Sequence, residues 1–134
     1  MYRLITISVL IGLLLLPVSG QTVPEDLVKA IREGNAGEMS EFFHQSLELT
    51  ILEEDYVASK NQATRIMENF FKNHPPEEFT ISFEGTKERS RYAIGSLRCR
   101  DAAFRVNLFF LNRQDESLVY YLSIEKESSY ELYP

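Results

Sequence analysis

The stretch that decides the fold is Arg91–Glu127, RYAIGSLRCRDAAFRVNLFFLNRQDESLVYYLSIEKE. Its β-branched and aromatic residues alternate with polar ones, and short polar segments divide it into three runs. Alternation with a period of two is typical of strands, because successive side chains point to opposite faces of a sheet. The stretch therefore predicts three consecutive antiparallel strands.

Two short helices are predicted near the beginning of the chain. Pro24 is favoured in the first turn of a helix, and Gly34 supplies its stop. Asn35 then caps a second helix, whose buried stripe is expected to include Phe42 and Phe43. Together the two helices form a bent helical arm.

Two strands and one long helix are predicted between this arm and the final stretch. The alternating segments 47–51 and 79–83 read as half-buried strands, and the acidic segment 53–55 reads as a turn. The helix begins at Ser59, where Ser-x-x-Gln fits a capping box, and ends at Pro75. The predicted order is α-α-β-α-β-β-β-β. This is an α+β fold in which a strongly bent antiparallel sheet wraps around the long helix.

Residues 1–20 are expected to be a secretory signal peptide. A single Arg precedes an apolar run that is shorter than the roughly 20 residues needed to span a bilayer, and small residues follow it. The alternative is a membrane anchor. Residues 21–134 would then form one exported domain, periplasmic or extracellular, in which Cys99 is a buried apolar residue. The net charge of −6 disfavours nucleic acid and anionic membranes as partners.

Several segments resemble a known family. Tyr56-Val57-Ala58-Ser59-Lys60-Asn61-Gln62-Ala63, Phe70-Phe71 with Pro75-Pro76, Tyr92-Ala93-Ile94-Gly95-Ser96-Leu97, Arg105-Val106 and Ile124-Glu125-Lys126 are similar to the DUF4783 family. The resemblance implies an exported bacterial protein of unknown function with an NTF2-like (cystatin-like α+β cone) fold. It implies no catalytic residues, because the family has none established.

The titratable residues suggest no catalytic set, no cofactor and no metal site. His44 and His74 are both expected at helix ends, where histidine commonly satisfies terminal carbonyls. Asp55 and Tyr56 stand before the long helix, near a pocket mouth, and turn or cap duty is the simpler interpretation. Two distant histidines and one cysteine do not have metal-ligand spacing.

The last two strands carry apolar residues on both faces. Phe104, Val106, Leu108 and Phe110 form one core-facing series, and Leu118, Tyr120, Leu122 and Ile124 form the other. The opposite face, with Val119 among its residues, is too apolar for a bare solvent surface. The candidate ligand- or partner-binding residues lie there: Arg98, Arg105, Asn107, Phe109 and Tyr121. Coverage by the tail or the opening helices, a sheet-to-sheet homodimer, and a ligand or protein partner are the alternatives.

Three functional hypotheses follow from these patterns. The favoured one is an exported, non-catalytic module that binds a small molecule or an envelope protein. The second is a pocket enzyme of the ketosteroid-isomerase or dehydratase type, which rests on the fold alone. The third is a dimeric structural component.

Overall fold

The computed structural model describes residues 23–113 and 116–127. The predicted signal peptide, residues 1–20, and the tail, residues 128–134, lie outside these ranges. Within them, the buried apolar residues form a single cluster.

The opening arm begins with helix α1, Glu25–Glu33, and continues with the short helix α2, Ala36–Met39. Gly34 ends α1 with a left-handed φ of 68°, a conformation that costs glycine little because it lacks a Cβ. Asn35 caps α2 as predicted, since its Oδ1 accepts a hydrogen bond of 3.0 Å from the amide of Glu38.

The second helix is shorter than the sequence suggested. A 3-10 turn, Ser40–Phe42, follows α2, and strand β1, Phe43–Ile51, starts immediately afterwards. Phe43 is buried, but it belongs to the strand and not to a helical stripe. His44 likewise lies in β1, so its predicted place at a helix end is wrong.

The acidic segment after β1 forms a strand that the sequence did not reveal. Leu52 and Glu53 make the turn, and strand β2, Glu54–Ser59, pairs antiparallel with β1. Asp55 and Tyr56 therefore lie in a strand and not in a turn. The order of elements consequently contains one strand more than predicted.

The long helix α3, Lys60–Asn73, has the predicted boundaries. The Ser59 Oγ accepts from the amide of Gln62 at 3.2 Å, and the Gln62 Oε1 accepts from the amide of Ser59 at 3.0 Å. This reciprocal box satisfies two amides that a helix start otherwise leaves without partners.

The remaining strands are β3, Pro76–Lys87, β4, Ser90–Cys99, β5, Ala103–Arg113, and β6, Glu116–Lys126. They form the predicted antiparallel meander, and the full sheet has the order β2-β1-β6-β5-β4-β3. The neighbours β1 and β6 run parallel, so the sheet is mixed and not wholly antiparallel. The sheet is curved and unclosed, and the α+β fold class is confirmed.

The helices pack on one face of the sheet, which we call the inner face; the opposite one is the outer face. Phe70 of α3 meets Phe104 of β5 edge to face, with 5.2 Å between ring centroids. The predicted core series of β5 is fully buried, and Leu27 and Ile31 of α1 join the same cluster. Each fully buried side chain of this size stabilises the fold by about 1.5–3 kcal/mol.

A β-bulge in β6 changes which of its first residues point to the inner face and which to the outer face, compared with the prediction. Phe109 is opposite Tyr121, but the next residue, Phe110, is opposite Val119, so Tyr120 is the extra residue. Val119 is therefore in the core with 0% exposure, although alternation predicted it on the outer face. Tyr120, predicted in the core, instead contacts the outer-face ring of Phe109 and reaches the Ser90 hydroxyl at 3.0 Å.

Leu118 is the other residue that the bulge moves. It lies opposite Leu111 of the outer-facing series and is only half-buried. Leu122 and Ile124, beyond the bulge, are buried as predicted. In the described part of the chain, no helix is both long enough and apolar enough to cross a membrane.

Candidate functional site

An open cleft of about 980 Å³ lies between helix α3 and the strand ends beside it. One wall comes from α3, from Arg65 to its end, and from His74 directly after it. The other wall comes from the β1–β2 hairpin and the end of β6. The cleft therefore joins segments that are far apart in the sequence, on the helix side of the sheet.

The α3 wall repeats at helical spacing. Ile66, Phe70 and His74 line the cleft, and so do Asn69 and Asn73. Residues four apart share one side of a helix, so this wall is a stripe directly beside the buried one. Phe70 is buried and Ile66 half-buried, whereas both asparagines are exposed. The α3 wall thus contributes the apolar side chains of Ile66 and Phe70, which we call the floor of the cleft, and the exposed carboxamides of Asn69 and Asn73 above them.

Leu52 forms the mouth of the opposite wall in an unusual conformation. Its φ is +62°, a left-handed value that costs a residue with a Cβ about 1–2 kcal/mol. The amide of Leu52 donates to the carbonyl of Ile124 at 2.8 Å, which ties the hairpin turn to β6. Backbone strain of this kind is often held at binding sites.

Tyr56 and Glu54 line the same wall and are joined to each other. The Tyr56 hydroxyl donates to the Glu54 Oε1 at 2.7 Å. This hydrogen bond, with smaller contributions from burial and from the carboxylate charge, raises the pKa of Tyr56. The phenol therefore stays protonated and orients the carboxylate at the cleft.

His74 lies where α3 ends and is held by three neighbours. Its Nδ1 is 2.8 Å from the Oδ2 of Asp101, and this hydrogen bond lowers the pKa of that carboxyl. The imidazole also contacts Phe70 and Phe104, with centroid distances of 4.8 and 5.0 Å. His74 lines the cleft, whereas Asp101 is not among the residues that line it.

The outer face carries an aromatic row that crosses four strands, which we define as Phe83, Tyr92, Phe109 and Tyr121. Tyr92 stacks on Phe109 at 5.5 Å with the planes 20° apart, and Phe109 meets Tyr121 edge to face at 5.5 Å. Phe83 lies 5.8 Å from Tyr92 and is 50% exposed. Two of the sequence-predicted site residues, Phe109 and Tyr121, are therefore in direct contact.

The other three predicted site residues surround this row without forming one cluster. Asn107 is half-buried, and its Nδ2 is 3.5 Å from the Ser123 hydroxyl. Arg105 is exposed and lies opposite Glu125 in the β5–β6 register. Arg98 is engaged at the sheet edge, where it forms ion pairs with Glu78 at 2.6 Å and with Glu77 at 3.5 Å.

No metal centre is evident in residues 23–113 and 116–127, where no group of three or more His, Cys, Asp or Glu side chains is arranged to hold an ion. Cys99 is a free, buried cysteine on β4, as predicted. Burial is the main reason that the pKa of its thiol rises to about 11.

The family model described as a domain of unknown function, DUF4783, matches residues 24–125. This range contains the whole fold and both walls of the cleft except Lys126. The chain belongs to the DUF4783 family.

Solved DUF4783 structures resemble this domain along most of its length. One from Bacteroides uniformis is 30% identical, with a TM-score of 0.75, and the match covers 81% of this chain and all of that one. Another, from Bacteroides ovatus, is 26% identical with a TM-score of 0.76, over 82% of this chain and 100% of that one.

More distant matches show the fold of this DUF4783 domain and nothing beyond it. An NTF2-like protein of unknown function from Shewanella baltica has a TM-score of 0.61 at 10% identity, over 78% of this chain and 87% of that one. The NTF2-like fold expected from the sequence is thus confirmed. No curated protein matches the chain significantly.

Sequence reasoning placed the candidate site of this DUF4783 domain on the outer face and missed the cleft. The contact between His74 and Asp101 could not be predicted, because the two residues are 27 positions apart and Asp101 resembles an ordinary turn residue. One signal was present: Tyr56 was assigned to the entrance of α3, near a pocket mouth.

Proposed function

We propose that this DUF4783 domain is an exported, non-catalytic module that binds a small molecule in the cleft beside α3. The cleft itself carries the proposal. Its volume of about 980 Å³ and its apolar floor with a polar rim match the sites that small ligands occupy in proteins. Because the rim is built from α3, the β1–β2 hairpin and β6, the fold itself positions it.

The pKa shifts beside the cleft support binding over catalysis. Proton transfer in an enzyme is most efficient when the acid or base titrates near the working pH. The pKa of Tyr56 is instead raised by Glu54, and that of Asp101 is lowered by His74. Both shifts lead away from neutrality, which suits hydrogen-bonding groups that keep one protonation state.

A pair of matched tryptophan variants tests the cleft. Asn69→Trp fills it from α3, and Asn61→Trp makes the same exchange at an exposed residue of α3 outside it. The probe is the neutral fluorophore N-phenyl-1-naphthylamine. We expect Asn69→Trp to weaken its binding about tenfold or more, because the ring occupies the apolar floor, while Asn61→Trp binds like the wild type. Unchanged binding by a folded Asn69→Trp variant would remove the cleft from consideration.

Export is the second part of the proposal and has its own test. The supporting pattern is the single positive charge, short apolar run and small residues of positions 1–20. When the full chain is produced in a Gram-negative host, we expect mature protein that begins at Gln21 in the periplasmic or secreted fraction. An intact amino terminus, retained in the cytosol or the membrane, contradicts this part.

The aromatic row favours a second candidate function, a homodimer through the outer face. Phe83 and the two rings beside it present a surface rich in aromatics but without charge along the row itself. Two copies of an acidic chain can meet there without placing like charges in contact, and aromatic residues are enriched at such interfaces.

Light scattering at high micromolar concentration tests the homodimer. We expect a dimer for the wild type and a monomer for Phe83→Lys, because the new charge would be buried against its own copy. Leu52→Lys is the control, since it also places a lysine at an exposed apolar residue, here at the mouth of the cleft. A wild-type monomer at that concentration rejects the dimer.

A further inference from the structure

The end of the cleft at His74 has a defined hydrogen-bonding character. Asp101 is an ionised carboxylate and can only accept, so the hydrogen between the two residues belongs to His74 Nδ1. In the neutral ring the other nitrogen, Nε2, must then be an acceptor. The partner residue thus selects one tautomer.

The contacts of His74 determine which of its ring nitrogens remains for a ligand. Phe70 and Phe104 both pack against the ring and also touch each other, with their centroids 5.2 Å apart, so the three rings form one cluster; Asp101 takes the Nδ1 edge. His74 lines the cleft and Asp101 does not, and the imidazole is 22% exposed. Because Asp101 occupies Nδ1, Nε2 is the ring nitrogen that remains to meet a ligand.

Other groups at the cleft are also acceptors or anions. Helix α3 ends at Asn73, and the last carbonyls of a helix carry partial negative charge. Glu53, Glu54 and Glu125 line the cleft, against the cations Arg65 and Lys126. Asp101 lies close enough to Lys126 for that charge to help lower its pKa, so part of the positive charge is already compensated.

The floor of the cleft complements this polar end. Ile51, Ile66 and Phe70 provide apolar surface between the two walls. The ring of Tyr56 also lines the cleft, while its hydroxyl is occupied by Glu54. Apolar surface is stabilised when it leaves water, so this floor accepts the uncharged body of an amphiphilic ligand.

We propose that the cleft selects small amphiphilic amines: an apolar body on the floor and a protonated primary amine that donates to Nε2 of His74. The inference rests on the proposed small-molecule function of the cleft and names its ligand class. An ammonium group has three donors and no acceptor, which suits a cleft that offers Nε2 and is lined by three glutamates against two cations. Carboxylate ligands are disfavoured in this cleft by the end of α3 and by the excess of glutamates over cations in the lining.

Three fluorophores with one body separate the contributions. Dansylcadaverine has a primary amine on a five-carbon chain, its N-acetyl derivative removes the charge, and dansyl-6-aminohexanoic acid replaces it with a carboxylate. At about pH 8 we expect the amine to bind roughly tenfold more tightly than the N-acetyl compound, because hydrogen bonds to charged groups are the strong ones. We expect the carboxylate to bind most weakly.

A matched pair of histidine variants assigns the preference to His74. His74→Phe keeps an aromatic ring against Phe70 and Phe104 but removes Nε2, whereas His44→Phe makes the same exchange in β1, away from the cleft. We expect His74→Phe to reduce the preference for the amine to about threefold or less without changing the affinity for the N-acetyl compound. His44→Phe should leave both affinities unchanged.

The outcomes distinguish the ligand class from the site. Equal binding of the three probes, tighter binding of the carboxylate, or an unchanged preference in His74→Phe overturns the amine proposal. Loss of N-acetyl binding in Asn69→Trp then still identifies the cleft as the site. Binding by none of the three probes overturns both proposals.

Discussion

His74 and Asp101 are 27 residues apart in the chain, yet the Nδ1 of the imidazole lies 2.8 Å from the Oδ2 of the carboxylate. The pair joins the residue after α3 to the turn between β4 and β5. Because His74 lines the cleft and Asp101 does not, the same contact fixes the imidazole at the cleft and connects two elements of the fold.

The first prediction concerns the pH dependence of this contact. The pKa of Asp101 is lower in the folded state than its ordinary value near 4, chiefly because His74 donates to it. The ionised carboxylate therefore stabilises the fold above about pH 4, and this contribution is lost as the pH falls through the folded-state pKa. Asp101→Asn should lower the urea midpoint at about pH 7, with a gap that closes towards about pH 3.

The control for this prediction is Glu84→Gln, an exposed carboxylate on β3. Its urea midpoint should follow that of the wild type at both values of pH. A gap between Asp101→Asn and the wild type that does not change with pH would show that the lost stability is not electrostatic.

A second prediction comes from the close approach of Phe79 to Gly95. A Cβ on Gly95 would lie 2.6 Å from the Phe79 ring and 3.0 Å from the Thr80 carbonyl oxygen. Gly95→Ala therefore requires the buried ring and the neighbouring strand to shift, and should cost about 1–3 kcal/mol. For a domain of this size, each kcal/mol lowers the melting temperature by roughly 4–8 °C.

Gly37 provides the matched control. A Cβ there meets only the Asn35 side chain, at an ordinary 3.5 Å, and the residue is helical. Gly37→Ala should stabilise the protein by about 0.4–1 kcal/mol, because alanine restricts the unfolded chain. Equal effects of the two substitutions in a thermal melt would contradict the packing at Gly95.

The sequence predicted the elements that have a strong local signal. The capping box of Ser59 and Gln62 is enough to predict the start of α3. Gly34 likewise predicts the end of α1, because the left-handed φ found there is one that glycine adopts easily. The alternation of β4 and β5 also predicted the fold class, because the buried series of β5 can be recognised without knowing which strands pair with it.

What the sequence could not show depends on partners far along the chain. Strand β2 exists because Glu54 and its neighbours pair with β1, and its acidic start resembles a turn on local grounds. The turn is also difficult to predict because Leu52 occupies it with a left-handed φ, a conformation that glycine or asparagine normally adopts. The bulge at Tyr120 also has no sequence signal. The run Leu-Val-Tyr-Tyr is apolar throughout, so it looks the same whichever of its residues point to the core.

A third prediction concerns the stacked pair on the outer face. Tyr92 and Phe109 face each other from neighbouring strands, 5.5 Å apart and 20° from parallel. A double-mutant cycle with Tyr92→Leu and Phe109→Leu should give a coupling energy of about 0.5–1.5 kcal/mol beyond the loss of buried area. The measurement is urea unfolding of the four proteins.

The control cycle combines Tyr92→Leu with Leu111→Ala, which removes apolar surface from the same strand as Phe109. Leu111 is opposite Ser90 in the register and only diagonal to Tyr92, so its coupling to Tyr92 should be clearly smaller than that of the stacked pair. A coupling as large as that of the stacked pair would mean that the outer face responds as a whole, without a specific ring contact.

The last prediction uses Cys99 as an internal reporter of the core. Burial raises the pKa of its thiol to about 11, so roughly one molecule in a thousand is a thiolate at about pH 8. The reactive species is the thiolate, and the side chain is also buried between the sheet and the helices.

Labelling with Ellman's reagent at about pH 8 should therefore be at least about a hundredfold slower for the native protein than in concentrated urea. The comparison protein is Cys99→Ala with Ser46→Cys, which places the thiol at an exposed position of β1 and should react rapidly in both conditions. Native Cys99 that labels as fast as that exposed cysteine would contradict both its burial and the raised pKa. Slow labelling that accelerates in proportion to the unfolded fraction would show that the thiol becomes accessible only when the sheet and helices separate.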